Sequence, residues 1–393
     1  MYRIGQEEID AVAKVIKSRK LFRYMEDSEC GRFEQRYARY VGVGEAVMTA
    51  SGTAALVAAL AGAGIGPGDE VIVPAHTFMA TAVAVLAVGA IPVIVDVDES
   101  ITISPEALEN GIGPRTKAVI PVHMWGLPCN MNRLMEVAKK RKLIVIEDAC
   151  QGVGGAYEGK KLGSIGLAGA FSFNYYKNMT CGEGGAVVSS DPRLMQIVRC
   201  STDCCGFFWN GKEQDIRSFS ANGSRASEFE GAVMNVQLDR IDDTISAMRK
   251  SKKDILRRTT ASGLLAASPR HSPDWECGTK ICYLLPTSTA AEAFAKQVGG
   301  VISAKTGRHT YNEWDPILNR RAGHVPAMNP YTWEANRGCR MHYSLDMCAR
   351  SLGILGRSVM IDNNPEFTAG QIDELVGRIE TAGASVLGQA VGR

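Results

Sequence analysis

The stretch "EVIVPAHTFMATAVAVLAVGAIPVIVDVD", residues 70–98, decides the fold. No residue from Val71 to Val95 is formally charged, and a run of that length invites a membrane-spanning reading. Pro74, His76, Gly89 and Pro92 interrupt it, however, leaving two short apolar pieces, EVIVPAHTF and AIPVIVDVD, on either side of an alanine-rich one. Apolar runs without alternation read as strands covered on both faces. The piece between them reads as the crossover helix of a parallel βαβ unit.

The same alternation extends in both directions. SGTAALVAALAGAG precedes the stretch as a helix; a helix from about Pro105, the strand KAVIPVHM, a helix near Met131 to Lys140 and the strand KLIVIEDA follow it, and GAFSF and GGAVVSS close the series. The pattern predicts an α/β fold with a mainly parallel central sheet wrapped by helices, and such sheets bind ligands at the C-terminal ends of their strands. From about Asn235 the texture changes to a long charged helix, then to irregular Pro-, Trp- and Asn-rich sequence, and last to the helix TAGQIDELVGRIETA. The expected organisation is an N-terminal helix over residues 1–20, a large α/β domain over 21–235 and a smaller α+β C-terminal domain over 236–393.

Composition removes several function classes. With 44 basic and 42 acidic residues dispersed along 393, the net charge is +2, and no basic block is long enough to track a nucleic-acid backbone. The eleven cysteines form no paired C-x-x-C units, and His123, His324 and His342 lack ligand spacing, so no metal site is expected. The cysteine usage and a start without an apolar signal core predict a reduced, cytoplasmic setting.

The chemistry is sought at the strand ends. Asp148 follows the apolar strand LIVIE, with Gln151 just beyond it, and Lys177 stands one loop and one strand later in "SFNYYKNMTCGEGGAV", residues 172–187. A single Asp in that place reads more simply as a helix cap or a surface acid. A lysine amine facing a carboxylate across a cleft is, however, what pyridoxal phosphate chemistry requires: the amine bonds the aldehyde as a Schiff base and the acid pairs with the protonated pyridine nitrogen. Ser51, Gly52 and Thr53 lead into an alanine-rich helix whose free N–H groups suit a phosphate, and Phe78, after a strand, suits the face of a flat ring. Burial of Lys177 between Tyr175, Tyr176 and the cofactor is expected to lower its pKa.

With these residues in hand, the chain resembles the DegT/StrS-type sugar aminotransferases among the fold-type-I pyridoxal-phosphate enzymes. The matching stretches are SGTAAL, GPGDEVIVPAHTF, GAIPVIVDVD, PRTKAVIPVHMWG, EDACQGVGGAYEGKKLGSIG and SFNYYKNMTCGEGGAV. The resemblance implies pyridoxal 5'-phosphate as cofactor, Lys177 as its covalent anchor, Asp148 as the pyridinium partner, and Gln151 at the ring hydroxyl. It further implies Gly52, Thr53 and Ser172 at the phosphate, and Phe78 on the ring. SANGSRASEFEGAV is similar to the family's Asn-x-Arg segment with one extra residue, which makes Asn222 the candidate for a phosphate contact across a homodimer. The implied reaction moves an amino group from glutamate or glutamine to a keto-sugar: a nucleotide-linked sugar, an octose or octulosonate, or a cyclitol precursor. LFRYMEDSECGRFEQ, VHMWG and EDACQGVGG look closest to the branch making aminated eight-carbon sugars. A lyase or dehydratase resembling aminohydroxybenzoate synthase and a non-catalytic cofactor-binding regulator remain alternatives. Glu183, His309, Tyr311, Trp314 and Arg320 are candidate substrate contacts, with a solvated loop as the plainer reading of the last four.

Overall fold

In the computed structural model, residues 3–206, 208 and 216–388 are described. The 70–98 stretch forms strand β2 (Glu70–Pro74), helix α4 (Ala80–Ala87) and strand β3 (Ile91–Val95), and β2 pairs with β3 in parallel. They lie at one edge of a seven-stranded sheet of order β1-β9-β8-β5-β4-β2-β3. The other strands are β1 (Glu45–Thr49), β4 (Thr116–Val119), β5 (Ile144–Asp148), β8 (Ala168–Ser172) and β9 (Gly185–Ser189), while β6 (Ala156–Tyr157) and β7 (Lys160–Lys161) pair with each other as a separate hairpin. Only β9 runs against its neighbours, pairing antiparallel with both β1 and β8. Among the described residues, no helix is long and apolar enough to cross a membrane.

The lack of alternation in these strands has a direct cause. Successive side chains point to opposite faces, and both faces are covered. Ile72, Met48 and Val145 enter one buried cluster, whereas Val71, Val73, Val47 and Ile146 enter another across the sheet. Both clusters are apolar, so the central positions of these strands are apolar on both faces, and the polar residues fall near the strand ends.

Local signals start the helices where the sheet needs them. Ser51 accepts from the Ala54 N–H ahead of α3 (Gly52–Gly62), and Asp191 accepts from Leu194 N–H ahead of α7 (Pro192–Thr202). The helix Glu228–Thr259, 32 residues long, opens on a Ser227–Glu230 capping box. Its first half, with Met234, Leu238, Ile241 and Ile245, packs into the core of the large sheet. Its second half, with Ile255 and Leu256, packs into a separate cluster beneath a three-stranded sheet of order β10-β12-β11 (Lys280–Leu284, Ser358–Asp362, Val301–Ile302). The irregular segment between β11 and β12 does not stay on that small sheet. Tyr311, Trp314, Ile317 and Cys348 are buried in the core of the large one.

One buried ionisable pair fastens the sheet to the loop ahead of β8. Glu147 and His123 are fully buried and meet at 3.0 Å. The same carboxylate accepts from the N–H groups of Gly163, Ile165 and Gly166. Since the Cys129 N–H occupies Nδ1 of His123, the ring carries its proton on Nε2 and donates it to Glu147. Glu147→Ala would strand these donors together, and is expected to destabilise the protein by about 3–5 kcal/mol in urea unfolding, whereas Glu147→Gln, which keeps two acceptor lone pairs, loses less.

Candidate active site

At the C-terminal edge of the parallel strands, β5 delivers Asp148, which is 4 % exposed. Its Oδ2 accepts from the Thr81 hydroxyl at 2.8 Å and its Oδ1 from the Cys150 N–H at 3.1 Å. Thr81 in turn shares a 2.7 Å hydrogen bond with the Thr77 hydroxyl, so a short relay from the start of α4 fixes the carboxylate's orientation. No sequence signal singled out Thr77 or Thr81; only the packing of α4 over the end of β5 turns ordinary threonines into carboxylate donors.

Lys177 sits in the loop after β8, which is closed by the Asn174–Gly182 bridge and by the bond from Lys177 N–H to the Asn174 carbonyl. Gly184, at φ +146°, turns the chain out of this loop where a Cβ would lie 2.8 Å from the Cys181 sulfur. Burial pushes the Lys177 amine below its usual pKa, against the fields of Cys150 and Asp148, which favour the charged form. The expected sandwich of tyrosines is corrected, however. Tyr175 and Tyr176 are 64 % and 65 % exposed, so the side chains that enclose the lysine come from elsewhere, among them Cys150 on the turn after β5.

The anion cradle is built by close approach. A Cβ added to Gly52 would fall 2.7 Å from the Ser172 Cβ and 2.9 Å from the Cys150 sulfur, and one on Gly185 would fall 2.5 Å from the Ser51 carbonyl. The first turn of α3, the end of β8 and the turn after β5 are therefore pressed together. This sets the Ser172 hydroxyl beside the N–H groups of Gly52 and Thr53, which have no acceptor within their own helix. The set of amine, carboxylate and anion cradle has the chemistry that pyridoxal phosphate requires.

Above this floor the segment 307–311 is zipped onto the Ala75–Met79 stretch. Thr77 N–H donates to the His309 carbonyl, Met79 N–H to the Arg308 carbonyl, and Tyr311 N–H to the Ala75 carbonyl. Phe78, 38 % exposed, thereby faces His309 at 5.7 Å between ring centres. His309 is pushed down to about 4, by burial first and then by the positive charges of Lys177, Arg308 and Lys280, so it is neutral at physiological pH. Gln151 accepts the Trp125 N–H at 2.9 Å through Oε1, leaving its amide NH2 available.

Other candidates are displaced. Tyr311 and Trp314 are fully buried; the Tyr311 hydroxyl donates to the Leu345 carbonyl, and the Trp314 indole N–H donates to the Arg308 carbonyl. They support the cleft wall rather than meet a substrate. Arg320 is exposed at φ 51°, with its carbonyl bonded to Asn329. Glu183 and Asn222 are exposed; Asn222 lies just before Ser224, whose carbonyl takes the Ala50 N–H beside the cradle. Asp203, Cys204 and Cys205 bring three possible metal-ligand atoms within 4.8 Å, yet the carboxylate is already bonded to Tyr24, Arg225 and the Cys205 N–H.

Comparison with known proteins agrees with this geometry. Residues 2–293 match the model of the DegT/DnrJ/EryC1/StrS aminotransferase family. A dTDP-3-amino-3,4,6-trideoxy-alpha-D-glucose transaminase from Streptomyces venezuelae is 37 % identical over 68 % of this chain and 70 % of its own length. An L-glutamine:2-deoxy-scyllo-inosose aminotransferase from Streptoalloteichus tenebrarius is 33 % identical over 80 % of this chain and 79 % of its own. The X-ray structure of an aminotransferase from Psychrobacter cryohalolentis superposes with a TM-score of 0.80 at 26 % identity, covering 98 % of both chains.

Gly52→Ala, which must push apart the cradle, is expected to weaken pyridoxal phosphate binding at least ~10-fold in absorbance titrations of the apoprotein. A fall of this size corresponds to about 1.4 kcal/mol, and unchanged affinity would show that the approach at Gly52 is not needed for the cofactor.

Proposed function

The chain belongs to the DegT/DnrJ/EryC1/StrS aminotransferase family and is a pyridoxal-phosphate-dependent aminotransferase of aminosugar synthesis, and from that premise we propose that it carries nitrogen from glutamate or glutamine to a keto-sugar at a site shared by two subunits. The acceptor classes are a nucleotide-linked sugar, an octose or octulosonate, and a cyclitol precursor. The observation that carries the reading is the buried Lys177 amine opposite the fixed Asp148 carboxylate.

When bound, pyridoxal phosphate supplies a protonated aromatic ring able to delocalise the negative charge that develops at a substrate carbon. Asp148, oriented by Thr81 and the Cys150 N–H, would accept a hydrogen bond from the ring nitrogen and keep its proton in place. Gly52, Thr53 and Ser172 would hold the phosphate, Phe78 would cover the ring, and Gln151, whose Oε1 already accepts the Trp125 N–H, would offer its NH2 to the ring hydroxyl. Lys177 would be the covalent anchor for the aldehyde, and its freed amine would be placed to move the proton at the substrate carbon. Its burial raises the share of neutral amine near pH 7, the form that can do both. Asn222, exposed two residues before Ser224, whose carbonyl takes the Ala50 N–H, would reach the phosphate of the neighbouring subunit. The exposed Tyr175 and Tyr176 are further apolar surface for that subunit to cover.

The purified protein is expected to show a visible cofactor band that glutamine or glutamate bleaches and a keto-sugar restores. Borohydride followed by peptide mapping should find the reduced adduct on Lys177. Lys177→Ala should slow turnover at least ~10^4-fold, while light scattering should report a dimer. Product formed without any amino donor would replace transamination with elimination.

A further inference from the structure

Trp125 is held with more care than packing requires. It adopts φ 56°, a left-handed conformation that costs a bulky residue strain and that persists only where the surroundings enforce it. Three groups do so: Gln151 accepts its N–H, the Thr279 hydroxyl donates to its carbonyl, and His76 accepts its indole N–H at 3.4 Å. His76 is itself fully buried and bonded through Nδ1 to the Ile101 carbonyl, which leaves Nε2 as the acceptor. Yet the indole is not enclosed in core. It is half-buried, 4.7 Å from the His309 ring, with the Lys280 ammonium 5.1 Å from its centre.

Arg308 flanks the same wall. Its carbonyl is tied to Met79 N–H and the Trp314 indole, so its position is fixed. Its guanidinium lies over Phe78 at 5.6 Å and joins none of the ion pairs among the described residues. Lys280, in contrast, is paired with Asp362. The mouth of the cleft thus presents a rigid aromatic face beside an unneutralised cation.

We propose that Trp125 and Arg308 form the acceptor subsite of this enzyme: the indole stacks on the carbon face of the sugar ring, and the guanidinium binds an anionic group on the same molecule. The proposal rests on the transaminase reading and narrows it, because a keto-sugar bearing phosphate or carboxylate is taken in preference to a neutral cyclitol. Arg308 supplies a planar fork that matches either anion. Trp125 supplies area and a fixed orientation, because its backbone is locked to Gln151 beside the cofactor ring.

The test is calorimetry on the holoenzyme without amino donor, where a keto-sugar binds and cannot turn over. Three probes separate the possibilities: a dTDP-linked 3-keto-6-deoxyhexose for phosphate, an 8-oxo-3-deoxyoctulosonate for carboxylate, and 2-deoxy-scyllo-inosose as the neutral sugar. Wild type should bind one of the anionic probes more tightly than the inosose, and which one it is identifies the anion. Arg308→Gln should raise the Kd of that probe about 10- to 100-fold and leave the inosose unchanged. Trp125→Ala should weaken all three probes by up to ~10-fold, with Trp125→Phe recovering most of the loss. Tighter binding of the inosose, or an equal shift of anionic and neutral probes in Arg308→Gln, would overturn the proposal. Arg308 is exposed, so its variant reports even if Trp125→Ala folds poorly. Bleaching of the visible band by glutamine or glutamate is read separately: its failure would remove the transaminase reading, whereas the binding preferences stand or fall on their own.

Discussion

At Gly52 three parts of the chain come so close that no side chain fits between them. The first turn of α3, the Ser172 end of β8 and the Cys150 turn after β5 share one point of contact. Because β5 ends on Asp148 and the loop after β8 carries Lys177, this contact also sets the separation of carboxylate and amine. A shift large enough to admit one methyl group would move the anion cradle relative to both. The chemistry of the site is in this sense a consequence of backbone packing at a glycine.

Around that point the protein manages charge by burial and by fixed hydrogen bonds. Asp148 is held by a hydroxyl and a backbone N–H. Lys177 meets the opposite condition: burial disfavours its ammonium form, so a larger share of the amine is neutral and able to act as a nucleophile or accept a proton. His309 is kept neutral by burial and by three nearby cations. The adjacent Glu147 shows the structural use of the same means, since a fully buried carboxylate with four donors clamps β5 to the loop before β8.

The sheet supplies the floor of the site and the segment from 307 to 314 supplies a wall. Three main-chain hydrogen bonds tie that segment to residues 75–79, and Trp314 and Tyr311 anchor it from below. An irregular stretch with little regular secondary structure is thereby made as fixed as a strand. Exposed side chains on this segment can then change without disturbing Asp148, Lys177 or the cradle.

Much of this was legible in order along the chain. The uncharged, proline-broken run at 70–98 dictated two strands and a crossover helix, because only strands covered on both faces are apolar at every position. Asp148 after its apolar strand, Lys177 in its glycine-bounded loop, and Ser51, Gly52 and Thr53 before a helix are local patterns whose meaning depends on neighbours in sequence. Other features depend on neighbours in space. Thr81 became a donor to Asp148, Trp125 a strained hub between Gln151 and His76, and Tyr311 and Trp314 core supports, while Tyr175 and Tyr176 turned outward. Periodicity and strand ends are set by the geometry of the backbone and so appear in the sequence itself. Which side chains meet across elements distant in the chain is set by close packing, and that is decided only when the whole fold has formed.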